Sequence, residues 1–210
     1  MQGTIGILTG KGPACDPLQE WLETLSPDIR RHRISGNQIA WQRNEVIRAR
    51  EGAWVLFVDN DSVPSLGALD ALLAHDLPLV SGTVLERTYP FNVCAVKSVE
   101  PYERWRPEDL PRGIFPVPAV GTGFLLIREA VLRGVGDPWF RCGQISPELI
   151  AEDFDFSLRA AEAGFPPYLD PSVLVGHETR VILWPGRGDG IMAQWPDHTG
   201  WLKYREALRP

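Results

Sequence analysis

Several features are missing from this chain, and each absence removes a class of protein. No stretch of about 18 consecutive apolar residues occurs, so no membrane span is predicted. The first residues, Met1 to Thr9, lack a basic segment and a long apolar core, so they do not read as a secretion signal. Cysteine is scarce. Cys15, Cys94 and Cys142 are odd in number and widely spaced, which fits neither a disulfide framework nor a zinc knuckle. Each reads as a small buried hydrophobe, and a reducing cytoplasm suits all three. Excess positive charge is missing too: the formal net charge is −6, so charge gives no reason to expect a nucleic-acid partner. What remains is an ordinary globular composition, 44% hydrophobic and 23% charged, in 210 residues, which fits one domain with a proper core. Pro and Gly are plentiful and gather after Pro101, which predicts a loop-rich second half.

The chain is organised around Trp54-Val-Leu-Phe-Val58, followed by Asp59-Asn60-Asp61. Five apolar residues, β-branched or aromatic for the most part, read as a strand buried on both faces. It stops at two carboxylates one residue apart. If strand geometry persists, Asp59 and Asp61 point to one side at the strand's carboxyl end, where ligands bind in open α/β sheets. Two aligned carboxylates repel unless a cation lies between them, and oxygen ligands suit Mg²⁺ or Mn²⁺. The plainer alternative is that Asp-Asn-Asp-Ser only makes a turn.

Around this strand the pattern alternates. Thr4 to Leu8 reads as a strand, Pro17 to Leu25 as a short helix, and Ile29 to Ile34 as a second strand. Gly10-Lys-Gly12-Pro13 reads as a turn rather than a phosphate loop. Ser35-Gly-Asn-Gln38 has the form of a capping box, opening a helix to about Arg50 that Gly52 ends. Ile39, Ala40, Val46 and Ile47 form its apolar stripe, with Arg43 in the middle. A guanidinium there needs an anion, either a protein carboxylate or a ligand phosphate. Asn44, a poor interior helix residue, is expected to bond nearby backbone. Leu66 to His75 repeats leucine at helical spacing, and Pro78 to Gly82 reads as a strand. Alternation of this kind predicts a parallel, doubly wound sheet.

Further along, Phe91 to Val96 reads as a strand and residues 102–112 as a loop whose Tyr102 and Trp105 cover the core. Val120 to Ile127 is a strand entered through Gly121 and Gly123, positions that permit close backbone approach. Arg128 to Arg133 starts a short helix. Ala151 to Ala163 is a helix with Phe154, Leu158 and Ala161 on its core face, and Glu152 and Asp153 in its first turn. Acidic residues are favoured there by the dipole alone; a general base is the functional reading. Tyr168 to Val175 contains a strand, followed by Gly176-His177. Trp184 to Gly190 is Gly-rich, a lid over a ligand or a linker to a last helix, Gly200 to Leu208. The expected division is one domain over 1–195, with 196–210 as its terminal helix and tail.

Four stretches taken together resemble one known class. They are Arg43-Asn44, Leu56 to Pro64, Val120 to Arg128, and Ala151 to Gly164 with Gly176-His177 downstream. In order and spacing they are similar to the GT-A nucleotide-sugar-dependent glycosyltransferases, notably the family-2-like group that includes mannosylglycerate synthase-type enzymes. The resemblance implies a single-domain GT-A fold, a mostly parallel doubly wound α/β sheet with flanking helices. It implies that Asp59 and Asp61 are an Asp-x-Asp pair, with Asp59 near both the donor ribose and the metal, Asn60 beside the donor nucleotide, and Asp61 gripping Mn²⁺ or Mg²⁺. His177 would complete the metal site. Arg43 and Asn44 would lie near the donor, and Gly121-Thr122-Gly123 would line the sugar pocket. Glu152-Asp153 would face the acceptor hydroxyl, one of them as base. The chain departs from the class in being short and in lacking an acidic residue on the first strand to hold the nucleobase. No amphipathic membrane anchor follows. Two other readings compete. Asp59 and Asp61 also match the opening motif of haloacid-dehalogenase-like phosphatases, with Asp59 as nucleophile and Lys97 as the only candidate lysine. The third is a nucleotide-sugar-binding module without activity.

Overall fold

The computed structural model describes residues 2–9, 12–88, 90–141, 144–146, 149–179, 182–186, 190–194 and 201–203. In chain order the first half runs β1 (Thr4–Leu8), α1 (Asp16–Glu23), β2 (Arg30–Ile34), α2 (Ile39–Arg48), β3 (Trp54–Asp59), β4 (Ser62–Pro64), α3 (Ala68–Ala74) and β5 (Leu79–Val84). Short strands follow: β6 (Ala95–Ser98), β7 (Glu103–Arg104), β8 (Phe115–Pro116) and β9 (Ala119–Val120). Then come β10 (Phe124–Arg128), α4 (Glu129–Val135), β11 (Gln144–Ser146), β12 (Leu149–Ile150), α5 (Glu152–Glu162) and β13 (Tyr168–His177). The last strands are β14 (Ile182–Gly186), β15 (Gly190–Gln194) and β16 (Trp201–Lys203).

One large sheet has the order β2-β1-β3-β10-β5-β13-β4, with β8 also paired to β13. Strands β2, β1 and β3 run parallel, and β13 runs parallel to β5. β10 lies antiparallel between β3 and β5, so the sheet is mostly, not wholly, parallel. Smaller sheets join β6, β7 and β9, and β14 to β16.

Helices cover both faces, as the alternation predicts, and β3 shows why. Its side chains alternate sides. Val55 and Phe57 enter one cluster with Val46 and Ile47 of α2, Val131 and Leu132 of α4, and Phe156 of α5. Trp54, Leu56 and Val58 enter the other, with Leu18 and Trp21 of α1 and Leu69 and Leu72 of α3. All five are fully buried, each contributing roughly 1.5–3 kcal/mol. Gly6 of β1 lets α2 close down on the sheet: a Cβ there would lie 2.5 Å from Val46 Cγ1 and 3.2 Å from Phe57. Gly6→Ala therefore overpacks this contact and is expected to cost about 1–3 kcal/mol in urea unfolding; a neutral result would mean that α2 shifts freely.

The one basic cluster, Arg30-Arg31-His32-Arg33, is the exposed edge strand β2, where charge discourages edge pairing. Among the described residues no helix is long and apolar enough to cross a membrane. Cys15 and Cys94 are free thiols, and burial pushes Cys94 up to about 12; Cys142 lies outside the described residues.

Local expectations fail where tertiary contacts override them. Helix α2 starts after Gln38, and no side chain caps it, because the 35–38 segment borders a cleft instead. Ile39 is 40% exposed at that cleft, and Leu66 is 81% exposed ahead of α3. The strand expected over 91–96 begins only at Ala95, since Phe91 takes a φ of 62° and bends the chain. The 120–127 strand breaks into β9 and β10 around residues 121–123. On α5 the core face is Phe154, Phe156, Ser157 and Ala160, not Leu158 and Ala161. Residues 201–203 form β16 against β15 where a helix was expected. Of the Gly-rich segment, 187–189 lie outside the described residues, as do Gly10 and Lys11 of the turn after β1.

Candidate active site

A cleft of about 510 Å³ opens at the carboxyl end of β1 and β3. Asp59, Asn60, Asp61, Arg87 and His177 line one part of it; Leu8, Gly36, Asn37, Ile39 and Gln42 line the rest.

The two aspartates reach this place by different routes. Asp59 is the last residue of β3 and shares the parity of Val55 and Phe57, so it faces α2 and α5. The chain then turns at Asn60 and Asp61 before entering β4. The alternation argument therefore does not deliver Asp61: the turn does. Asn60 pins the turn by donating from Nδ2 to the carbonyls of Gly12 (3.3 Å) and Pro13 (3.1 Å).

His177 arrives by a bent strand. β13 pairs with Gly82 at Asp170 and with Thr83 at Leu174, a bulge that re-aims the strand. Asp170 holds the bulge: Oδ1 accepts from the Ser172 amide (2.8 Å) and hydroxyl (2.6 Å), and Oδ2 meets His75 Nε2 at 2.7 Å. Beyond it, β13 crosses to β4, with His177 opposite Ser62. His177 Nε2 then lies 3.3 Å from Asp61 Oδ1. Its Nδ1 lies 2.8 Å from the Leu85 carbonyl, which can only accept, so Nδ1 carries a proton. In the neutral ring, Nε2 and Asp61 thus turn lone pairs toward each other, an arrangement that a proton or a metal cation satisfies. Burial works to raise the Asp61 pKa, but the His177 bond and the His177 and Arg87 charges bring it below the usual range. Burial likewise works to lower His177, but the bonds to Asp61 and the Leu85 carbonyl and the Asp61 charge together outweigh it, leaving His177 raised.

Arg87 was missed by the sequence reading. Its Nη1 lies 2.7 Å from Asp61 Oδ2, so a cation already neutralises this carboxylate. Its one sequence signal is its place just past β5, at the sheet end that carries Asp59. Among the described residues no three His, Cys, Asp or Glu side chains converge on one point. Asp61 and His177 are the donor pair that could hold a divalent ion, with Asp59 in the same cleft, and Arg87, 56% exposed, occupies Asp61 Oδ2.

Behind Asp59 lies a buried charge cluster. Arg43 is only 2% exposed and its guanidinium sits 5.6 Å from the centroids of both Phe57 and Phe140. Its Nε donates to Glu152 Oε1 at 3.2 Å, and Nη2 lies 3.8 Å from Asp59 Oδ1. Of the two anions open to Arg43 on sequence grounds, the structure supplies protein carboxylates. Asn44 is spent on backbone: Nδ2 donates to Phe140 O at 2.8 Å and Oδ1 accepts from Phe140 N at 2.9 Å. It is a buried clamp, and the expected backbone bonding of Asn44 is met by Phe140, 96 residues away.

Asp153 stands at the start of α5, its Oδ1 accepting the Phe154 amide at 2.8 Å. Burial, then the Glu152 carboxylate, push it up to about 6, with Arg43 opposing. Residues 121–123 run between the two acidic positions. A Cβ on Gly121 would lie 3.6 Å from Asp153 Oδ2, and one on Gly123 would lie 3.5 Å from Asp59 Oδ2. Ser157 ties α5 to this segment, its hydroxyl donating to Val120 O and accepting from Val120 N, both at 3.2 Å. Thr122 Oγ1 is buried and has no partner among the described residues. Lys97 lies apart from the cleft lining, with Nζ 5.3 Å from the Trp105 ring centroid.

Solved structures share this fold. The crystal structure of A197 from STIV has 18% identity and a TM-score of 0.59, over 95% of this chain and 93% of that one. GalNAc-T7, solved with UDP, GalNAc and Mn²⁺, has 12% identity and a TM-score of 0.54 over 84% of this chain. S. aureus TarS 1-349, solved with UDP-GlcNAc, has 14% identity and a TM-score of 0.50 over 84% of this chain. The fold is GT-A-like. This chain spans 44% of the GalNAc-T7 chain and 58% of the TarS chain. No protein-family model and no curated relative matches it, and nothing in these likenesses points to the mannosylglycerate synthase group.

Proposed function

We propose that the chain is a metal-dependent glycosyltransferase that moves a sugar from a nucleoside-diphosphate sugar to an acceptor hydroxyl. One observation carries this reading: Asp59 at the end of β3, Asp61 in the turn after it and His177 at the end of β13 line a single cleft at the carboxyl end of the central strand. The GT-A-like neighbours GalNAc-T7 and TarS, solved with UDP or a UDP-sugar, support the same donor class.

Asp61 and His177 would hold Mn²⁺ or Mg²⁺, with Asp59 beside them. When bound, the ion neutralises the charge that develops on the departing diphosphate. Arg87, released from Asp61, is placed to reach a diphosphate oxygen. Asp153 is the better general base of the acidic pair. Glu152 is engaged by Arg43, whereas Asp153 has a raised pKa near working pH and lies beside Gly121. Residues 121–123 would form the floor between donor and acceptor. The free thiols of Cys15 and Cys94 support a cytoplasmic location.

The test is turnover with Mn²⁺ and a panel of UDP-, GDP- and dTDP-sugars, following release of the nucleoside diphosphate. The expected result is release with at least one donor, abolished by EDTA, restored by Mn²⁺, and reduced about 100-fold or more in Asp61→Ala. Hydrolysis of a phosphomonoester through an adduct on Asp59 would instead identify the phosphatase. Metal-dependent nucleotide-sugar binding without turnover would identify the binding module.

A further inference from the structure

Both oxygens of the Asp61 carboxylate are engaged, and by unlike partners. Arg87 Nη1 lies 2.7 Å from Oδ2, and His177 Nε2 lies 3.3 Å from Oδ1. His177 is held in place: its side chain is only 17% exposed, and its Nδ1 lies 2.8 Å from the Leu85 carbonyl. Arg87 is held by Asp61 alone among the described residues, at the tip of a side chain that is mostly in solvent.

The backbone that carries Arg87 is pinned. The Glu86 amide donates to Asn92 O at 2.8 Å, the Cys94 amide donates to Val84 O at 2.8 Å, and Leu85 bridges to Val93. The same short segment thus supplies the carbonyl that orients His177 and the guanidinium that covers Asp61. For Arg87 to leave Asp61, only its side chain has to turn, a motion that is fast for an exposed residue. The contact it gives up is weak, since an ion pair this open to solvent contributes a factor of about five at most. A guanidinium and a divalent ion cannot share Oδ2, because like charges in contact repel. The charged groups of the cleft lining are Asp59, Asp61, Arg87 and His177. With Arg87 turned away and a divalent ion present, positive charge is in excess there, and an incoming anion restores the balance.

We propose that Arg87 is an exchangeable stand-in for the metal. It neutralises Asp61 until a divalent ion takes Oδ2, and its freed guanidinium then grips the diphosphate that accompanies the ion. This rests on the metal-dependent nucleotide-sugar reading above and adds something that reading does not require: the site resists a bare divalent ion, and Arg87 couples the binding of ion and anion. By linkage, each then raises the affinity for the other by the same factor.

Mn²⁺ titrations of the full chain, followed by the electron paramagnetic resonance signal of free Mn²⁺, test this in the native protein and in Arg87→Met, with melting temperatures measured alongside. Without nucleotide, the variant is expected to bind Mn²⁺ about three-fold or more tighter than the native protein, since it has no cation to displace. Addition of UDP, GDP or dTDP in turn should raise the native Mn²⁺ affinity, and the largest gain should be smaller in the variant. A second readout separates displacement from repulsion at a distance. The Arg87 Nε–H resonance, assigned by its loss in Arg87→Met, should shift when Mg²⁺ alone saturates the native protein. Mn²⁺ affinity that is equal or weaker in the variant, a nucleotide gain that is the same in both proteins, or an Arg87 resonance unmoved by saturating Mg²⁺ overturns the exchange and leaves the metal reading intact. Absence of Mn²⁺ binding in both proteins, with and without nucleotide, overturns both.

Discussion

Replacing Asp153 by Asn is expected to abolish turnover and yet stabilise the fold at pH 8. Loss of a general base removes roughly 10²- to 10⁴-fold of rate. The gain in stability follows from the raised pKa. In the unfolded chain the Asp153 carboxyl ionises near its ordinary value of 3.8; in the folded protein burial and Glu152 hold it at about 6. Below about pH 4 the group is protonated in both states and costs nothing. As pH rises from about 4 to about 6 the unfolded state ionises while the native carboxyl stays protonated, so the native protein loses stability over that range and the loss is complete above about 6. The difference of about 2 pH units corresponds to about 3 kcal/mol at full ionisation. An Asn amide stays neutral and retains Oδ1 for the Phe154 amide, so it escapes this loss. Urea unfolding of both proteins at pH 4 and pH 8 should show stabilities that coincide at the lower pH and diverge at the higher, with the variant ahead. The native rate should climb as pH passes about 6. A variant that is less stable at pH 8, or a rate that is flat between pH 5 and 7, would show that Asp153 is neither strained by burial nor the base.

Arg43 should give the largest loss of stability. Its guanidinium is buried between Phe57 and Phe140 and serves Glu152 and Asp59 at once. Met in its place keeps the bulk and the aromatic contacts but strands two carboxylates without their cation. Breaking a buried ion pair in this way costs about 3–5 kcal/mol. Arg43→Lys keeps the charge and loses the fork, so it should fall between. Arg43 also opposes the upward shift of Asp153, so in the Lys variant, where the cation is less well placed, the pH limb of activity should move above its native position. A limb that stays in place while stability falls would make Arg43 a packing residue only. A Met variant as stable as the native protein would mean that these carboxylates find water instead.

The parts of the site that could be read from sequence are those set by local periodicity. The 54–58 run is apolar on both faces because helices cover both sides of β3, and that much follows from its composition. The buried position of Arg43 follows from helical spacing. What periodicity cannot show is where the chain turns and what distant segments meet. Strand geometry ends at Asp59, so Asp61 joins the cleft by a turn. Ser35 and Gln38 look like a cap, yet this segment's polar groups serve the cleft and the Gly36–Gln42 bond. Asn44 finds Phe140, 96 residues away. Arg87 meets Asp61 only because β5 is brought across the sheet.

The antiparallel strand β10 has a consequence for how this protein is made. It is hydrogen-bonded to β3 on one side and β5 on the other, so it is the seam between the two halves of the sheet. While a nascent chain is emerging from the ribosome, β1 to β3 and β5 are all present long before Phe124 appears. Until then two apolar strand edges face water with nothing between them. Premature termination upstream of residue 124 should therefore yield insoluble product rather than a smaller folded fragment, and a chaperone that shields strand edges would be needed only for that interval.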